Sequence, residues 1–256
     1  MSRYFSVAFG LARRLLDTFI SSPALFIPPL LMPIFFFVAF AGGLSAIDNA
    51  PGFDYAPGYT AFEFGFVLLQ ASAFGGVFTG FSIAADFQFG FGNRLLLATP
   101  HRSALILGYW IVAFVRAAIT LAVVTAIGLL AGMELLASAT EVVGIYTLAA
   151  IVNLAGALFA AGVALRFRSL QATPLMMVPT FLLLFLAPVY VPRELLAGWV
   201  GTVSPYDPIT HVMESARDLI AGQPADFLAA AGIALGLAAL MLVFAIRGLR
   251  QAEAAS

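Results

Sequence analysis

The chain has 256 residues, 62% of them hydrophobic and 10% charged, with a formal net charge of −1. Soluble domains average about 25% charged residues, so this composition, with a mean hydropathy of +1.03, points to an all-α polytopic membrane protein. The absence of cysteine excludes disulfides, thiolate metal sites and cysteine nucleophiles, and the absence of lysine excludes a Gly-x-x-x-x-Gly-Lys-Ser/Thr phosphate-binding loop.

Residues 1–22 come first. Phe5, Ala8, Phe9, Ala12, Leu15, Leu16 and Phe19 recur at helical spacing, with Arg3, Ser6, Gly10, Arg13, Arg14 and Asp17 opposite them. This predicts an amphipathic interfacial helix with arginines on its polar side. The basic region is too long for a secretion signal, and the rest of the chain stays in the membrane. Six apolar segments follow, at 23–42, 60–85, 104–131, 142–165, 172–191 and 227–246. Each is near the ~20 residues that cross ~30 Å of hydrocarbon.

Between the second and third segments lies a polar elbow, residues 86–102. It carries Asp86, Asn93, Arg94, His101 and Arg102, and Gly90, Gly92 and Pro100 are expected to break any single helix there. Sorting loops by arginine gives the topology. Arg3, Arg13, Arg14, Arg94, Arg102, Arg166, Arg168, Arg247 and Arg250 fall on one side, Arg193 and Arg217 on the other, and Arg116 within a span. The positive-inside rule then predicts that both termini and the elbow are cytoplasmic.

Polar residues inside spans are costly and therefore informative. Gln70, Arg116 and Asn153 are each predicted roughly 20 Å deep at ~1.5 Å per residue. They form either an internal hydrogen-bond cluster or a polar point in a translocation cavity. Phe74, Phe78 and Phe81 make a stripe on the second span beside Gly75, Gly76 and Gly80. Met176, Met177, Phe181 and Phe185 lie on the fifth, which Pro174 and Pro179 bend. These side chains either line an apolar cavity or pack the core and the lipid face. Glu63, near the outer end of the second span, is expected as a surface carboxylate, with a cation contact as the other reading.

Residues 192–224 are expected to form short extracellular or re-entrant helices between the fifth and sixth spans. One is predicted near Pro192 and another at Asp207-Pro208, an N-cap followed by proline at the first helical position. Glu214, Arg217 and Asp218 share a face three and four residues apart, which favours an ion pair.

In the order and spacing of these motifs the chain resembles the membrane subunit of a type-2 ATP-binding-cassette exporter of the multidrug type. The residues that carry the resemblance are Pro23, Pro28, Pro29 and Pro33 after the amphipathic start, and Arg94-Leu95-Leu96-Leu97-Ala98-Thr99-Pro100 followed by Gly108. To these add Pro192, Trp199, Pro208, Glu214 and Arg217. Two places depart from the pattern. The elbow reads Asp86-Phe87-Gln88-Phe89-Gly90-Phe91-Gly92-Asn93 where the family carries several charges, and Asp207-Pro208 stands for the usual Asn-Pro.

The resemblance implies a single transmembrane domain over 1–256 in the plasma membrane of a bacterium. It implies a second permease copy, as homodimer or heterodimer, and two cytoplasmic ATPase subunits that bind ATP and Mg; this chain binds no cofactor, metal or nucleic acid. It places Asp86, Phe87, Phe89, Phe91, Arg94, Leu95, Leu96 and Pro100 at the ATPase contact. Gln70, Phe74, Phe78, Phe81, Arg116, Asn153, Met177 and Phe181 become candidates for a cavity carrying hydrophobic or amphipathic cargo out of the cell. Export of polysaccharide or lipid-linked polymer is the alternative, and calls for a wide polar channel. An ATP-independent carrier or channel needs acids near the midplane. An intramembrane enzyme needs a nucleophile with a base, whereas His101 and His211 are predicted on opposite sides.

Overall fold

The computed structural model describes residues 2–99 and 102–254, with side chains given for all of these except 2, 23–26 and 28. The described residues form ten α-helices and no strand. Four helices are long and apolar enough to cross a membrane: α3 (Gly58–Gln88), α5 (Ser103–Leu130), α6 (Ala139–Phe167) and α10 (Phe227–Ala254). The chain is therefore a multi-pass membrane protein. The two remaining apolar segments become α2 (Pro23–Gly43) and α7 (Thr173–Leu186). Pro100 and His101 lie outside the described residues, as do the side chains of Pro23 and Pro28.

The fifth apolar segment is shorter as a helix than its composition predicts. It ends at Leu186, not at 191. The ring of Pro188 disfavours a helical conformation at the preceding residue, and Ala187 is extended, with ψ 161°. Irregular chain then runs to Pro192.

At the centre, α3 and α6 touch backbone to backbone. A Cβ on Gly76 would lie 2.4 Å from the Asn153 carbonyl oxygen and 2.5 Å from the Ala157 nitrogen; one on Gly156 would lie 2.6 Å from the Ala73 oxygen. Small residues make such an approach possible and gain dispersion along the whole seam. The Asn153 side-chain amide donates across the seam to the Ser72 carbonyl at 2.9 Å. A capping box, Ser138 with Glu141, starts α6.

Helix α1 (Ser2–Ser21) leans on this bundle. Ala8, Leu11, Ala12, Leu15 and Phe19 are buried, whereas Phe5, Phe9 and Ile20 are exposed. Its contacts climb α5 in step with it, from Ala8 and Leu11 at Gly108 to Phe19 beneath the Arg116 guanidinium, 4.3 Å from the ring centroid.

The elbow is more ordered than its glycines suggest. Helix α3 runs on to Gln88, Gly90 turns the chain with φ +79°, and α4 (Phe91–Ala98) adds two turns. Of the two glycines, Gly90 acts as the break. Gly92 sits inside α4, where a Cβ would strike the Phe87 ring at 2.7 Å. At the opposite end, the helix expected near Pro192 is only a 3₁₀ turn at Arg193–Leu195, and α8 (Gly198–Val203) follows it. Helix α9 (Pro208–Ile220) starts where Asp207-Pro208 predicts, the Asp207 carboxylate accepting from the Ile209 N–H at 3.2 Å.

Alanine is normally the better helix former, by up to ~1 kcal/mol. Gly76→Ala reverses that sign, because its methyl group must push the α3 and α6 backbones apart. It lowers stability by an amount typical of overpacking, about 1–3 kcal/mol, seen as a lower thermal midpoint in detergent. Gly42→Ala, which meets open space, leaves the midpoint unchanged or raised.

Candidate functional site

Polar side chains gather at the two ends of α3. At the elbow end, Asp86 sits in its last turns, 8% exposed. Arg14 donates to both carboxylate oxygens, at 2.9 and 3.2 Å, and the Tyr109 hydroxyl donates to the same group at 2.6 Å. The Arg14 guanidinium also lies 3.7 Å from the Phe91 ring centroid. One carboxylate therefore joins α1, α3 and α5, and through Arg14 holds α4. The Leu170 N–H donates to Gln88 Oε1 at 2.8 Å, and Arg102 pairs with Glu253 of α10 at 3.4 Å.

This arrangement divides the predicted coupling residues. Asp86, Phe87 and Leu96 turn inward, the last two 6% and 1% exposed. Phe91 and Leu95 are half-buried against the core. Phe89 and Arg94 face outward. So does Leu97, which lies outside the predicted coupling set; Phe89 and Leu97 are 74% and 76% exposed.

The predicted polar layer within the spans is not one cluster. Arg116 is directed at Phe19 of α1, its Nε without a hydrogen-bond partner. Asn153 is spent on the α3–α6 seam. Gln70 is wholly buried, and neither of its amide atoms finds a partner. The aromatic stripe sits elsewhere on α3 and forms a seam with α7. Phe74 meets Phe181 at 4.5 Å between centroids, Phe78 meets Phe81 at 5.3 Å, and Phe66 meets Phe185 at 5.4 Å. Met177 packs half-buried on the core. Between α6, α7 and α10 an apolar groove of about 210 Å³ is lined by Val152, Phe159, Pro179, Leu183, Leu237 and Met241.

At the far end, Arg217 departs from its expected pairing. Its side chain points into the protein, 4% exposed. Nε donates to the Phe62 carbonyl at 3.0 Å, Nη1 to that of Pro188 at 2.7 Å and Nη2 to that of Val189 at 3.0 Å, with the Phe62 ring 3.4 Å away. Three carbonyl acceptors hold the guanidinium away from the half-buried carboxylates of Glu214 and Asp218 on the same helix. Glu214 pairs instead with Arg193, at 3.6 Å. Trp199 is exposed, and Pro192 and Pro208 flank the short helices.

Glu63 also departs from expectation: it is fully buried, not at the surface. The Tyr59 hydroxyl lies 2.8 Å from Glu63 Oε1 and 3.1 Å from the Tyr190 carbonyl. The Tyr55 hydroxyl donates to the Arg217 carbonyl at 2.7 Å. Burial pulls Arg217 down to about 10, so it stays charged at neutral pH. Burial lifts Asp207 to about 6, against the lowering effect of the Ile209 N–H, and raises Glu214. Tyr59 and Tyr190 were not singled out in the sequence; a tyrosine one turn before an acid in an apolar run was the available signal. Among the described residues no group of acids and histidines is placed to hold a metal ion.

Two outcomes follow from these knots. Arg217→Met strips donors from three buried carbonyls and lowers stability by about 3 kcal/mol or more, at 1–3 kcal/mol per orphaned group, whereas Glu214→Gln costs under about 1 kcal/mol, as half-exposed pairs do; thermal melts in detergent compare them. Asp86→Asn keeps the Tyr109 contact but removes the charge that holds Arg14. Limited proteolysis then cuts α1 about tenfold faster, the change expected for a loss of ~1.4 kcal/mol in local opening.

Comparison with curated proteins finds no match. The family model of the ABC-2 type transporter matches residues 8–221, a span that takes in most of α1, the elbow, the α3–α6 seam and the whole far-end knot. With that match added to the multi-pass helical fold, the chain is a membrane permease component of an ABC transporter and belongs to the ABC-2 type transporter family.

Proposed function

We propose that this permease exports hydrophobic or amphipathic small molecules, drug- or lipid-like, powered by two separate ATPase subunits that bind ATP and Mg. The observation that carries the reading is the elbow: two bare apolar side chains, Phe89 and Leu97, flank exposed Arg94 on a base fixed by Asp86, Arg14 and Tyr109. An exposed apolar pair on a rigid mount is a surface that a partner covers. The family's usual partner is an ABC ATPase, and the elbow docks in its groove.

In this reading α2, α3, α5, α6, α7 and α10 make six crossings. Nine of the twelve arginines put the elbow end and both termini in the cytoplasm. A second copy, identical or related, completes the pathway. Closure of the ATPases brings the two elbows together, and α3 and α5 tilt as rods, exchanging inward-open for outward-open. Helix α1 follows because Arg14 ties it to Asp86. The aromatic seam of Phe74, Phe181 and Phe185 and the apolar groove support a greasy cargo over a hydrated polymer.

The test is co-purification of the ATPase with the full permease. Phe89→Asp with Leu97→Asp reduces ATPase recovery at least about tenfold, equivalent to ~1.4 kcal/mol of binding. Trp199→Asp, equally exposed at the opposite end, leaves recovery unchanged. Full recovery with the elbow pair replaced removes the docking surface from the elbow.

A further inference from the structure

The far-end knot sets a single hydroxyl hydrogen between two acceptors. The Tyr59 oxygen is within hydrogen-bond distance of two acceptors, Glu63 Oε1 at 2.8 Å and the Tyr190 carbonyl at 3.1 Å. A phenol carries one hydrogen, and a carbonyl carries none. Two full hydrogen bonds need a second hydrogen, and only Glu63 can supply it. The chain then reads Glu63 O–H to Tyr59 Oη, and Tyr59 O–H to the Tyr190 carbonyl. A separate observation agrees: Glu63 Oε2 is buried with no donor. In a carboxylate that oxygen would carry half a charge with no protein donor to meet it, which is expensive for a buried group. In a neutral carboxyl it is only a weak acceptor.

Among the described residues Glu63 makes no close ion pair, although the Arg217 charge acts on it from nearby. Arg217 of α9 is turned to the carbonyls of Phe62, Pro188 and Val189. Asp48 accepts from the Tyr59 N–H, Glu214 is paired with Arg193, and Tyr55 is bound to the Arg217 carbonyl with Asp218 beside it. The segment 187–192 supplies three of the acceptors in the knot: Pro188 and Val189 to Arg217, and Tyr190 to Tyr59. Lifting it strips two carbonyls from Arg217 and one from Tyr59 in a single motion. Nη1 and Nη2 of Arg217 then lack acceptors while Nε keeps the Phe62 carbonyl, and Glu63, next to Phe62 in sequence, is within electrostatic reach of the freed groups.

We propose that Glu63 is a proton-binding site that is occupied while segment 187–192 is seated, and that lifting the segment releases the proton to the far-side water as Glu63 and Arg217 pair. One O–H bond of Glu63 breaks, its electron pair stays on the carboxylate, and no other group changes protonation. The seated-to-lifted equilibrium of this permease is therefore proton-linked. The inference stands on the far-end geometry and is independent of the cargo and ATPase assigned above.

The experiment uses the full chain in liposomes without nucleotide. Since the protein has no cysteine, a nitroxide on Val191→Cys reports only on this segment. As pH rises through the titration of Glu63, the lifted-to-seated ratio grows by up to about tenfold per pH unit, the slope of a one-proton linkage. Glu63→Gln keeps a donor for Tyr59 but cannot ionise, and its titration is flat. Infrared spectra give the second readout: the band of a neutral carboxyl is present in the wild type with the segment seated and missing in Glu63→Gln. Should Glu63→Gln not fold, Tyr59→Phe removes the acceptor of the proton, and the carboxyl band moves to higher frequency. A titration unchanged by Glu63→Gln, a carboxyl band that survives it, or a band unmoved in Tyr59→Phe overturns the proposal.

Discussion

The backbone contact between α3 and α6 fixes where everything else can go. Lipid tails are as apolar as leucine, so in a membrane there is little hydrophobic gain in bringing helices together. Dispersion and backbone proximity must do it, and they fall off within a fraction of an ångström. Gly76 and Gly156 allow the two axes to meet, with Asn153 bonded across them. The result is a central rod, α3, along which nearly every residue from Tyr59 to Gly80 is buried. Elements that touch it inherit its position; α10, much more exposed, is seated on α6.

Each end of that rod carries a buried acid, Glu63 and Asp86, roughly 35 Å apart at ~1.5 Å per residue. The two serve different ends. Asp86 meets a half-exposed arginine in bidentate geometry, and the pair anchors α1 to the elbow. Such a contact survives tilting of the bundle because its members move together. Glu63 makes no close ion pair in this conformation, and two of the three carbonyls that hold the neighbouring Arg217 belong to a non-helical segment. That contact is lost once the segment moves. In the proposed cycle one end of α3 transmits motion and the other registers it.

Much of this was legible in the chain. Apolar length marks the four long helices α3, α5, α6 and α10, Gly90 the turn in the elbow, and Asp207-Pro208 the start of α9. These are local signals, written within a few residues of what they determine. The misreadings share a cause as well. Arg217 sits at ideal helical spacing from Glu214, and a surface helix would pair them; three carbonyls brought in from α3 and from 187–192 override that spacing. Glu63 reads as a surface group because it stands near a span end, yet Tyr190, far away in sequence, closes over it. Gly92 reads as a breaker, but the Phe87 ring needs the space its missing side chain leaves. Periodicity says which face of a helix is apolar and is silent on what meets that face.

The short α7 explains why a buried arginine belongs at the far end. Its 14 residues cover roughly 21 Å at ~1.5 Å each, well under the ~30 Å of a hydrocarbon core. In the six-crossing arrangement proposed above, segment 187–192 completes the passage without helical hydrogen bonds. Carbonyl groups at that depth must find donors inside the protein, since lipid offers none. Pro188 ends the helix and exposes its own carbonyl and that of Val189, and Arg217 supplies the donors for both. A lysine could not do so as well: its donors radiate from one point, whereas the guanidinium spreads its N–H groups in a plane wide enough to reach α3 and the irregular segment at once. The proline that shortens α7 thus creates the need that Arg217 fills. Because the filled need is a set of carbonyls and not a carboxylate, the guanidinium can exchange them for Glu63 without leaving its place.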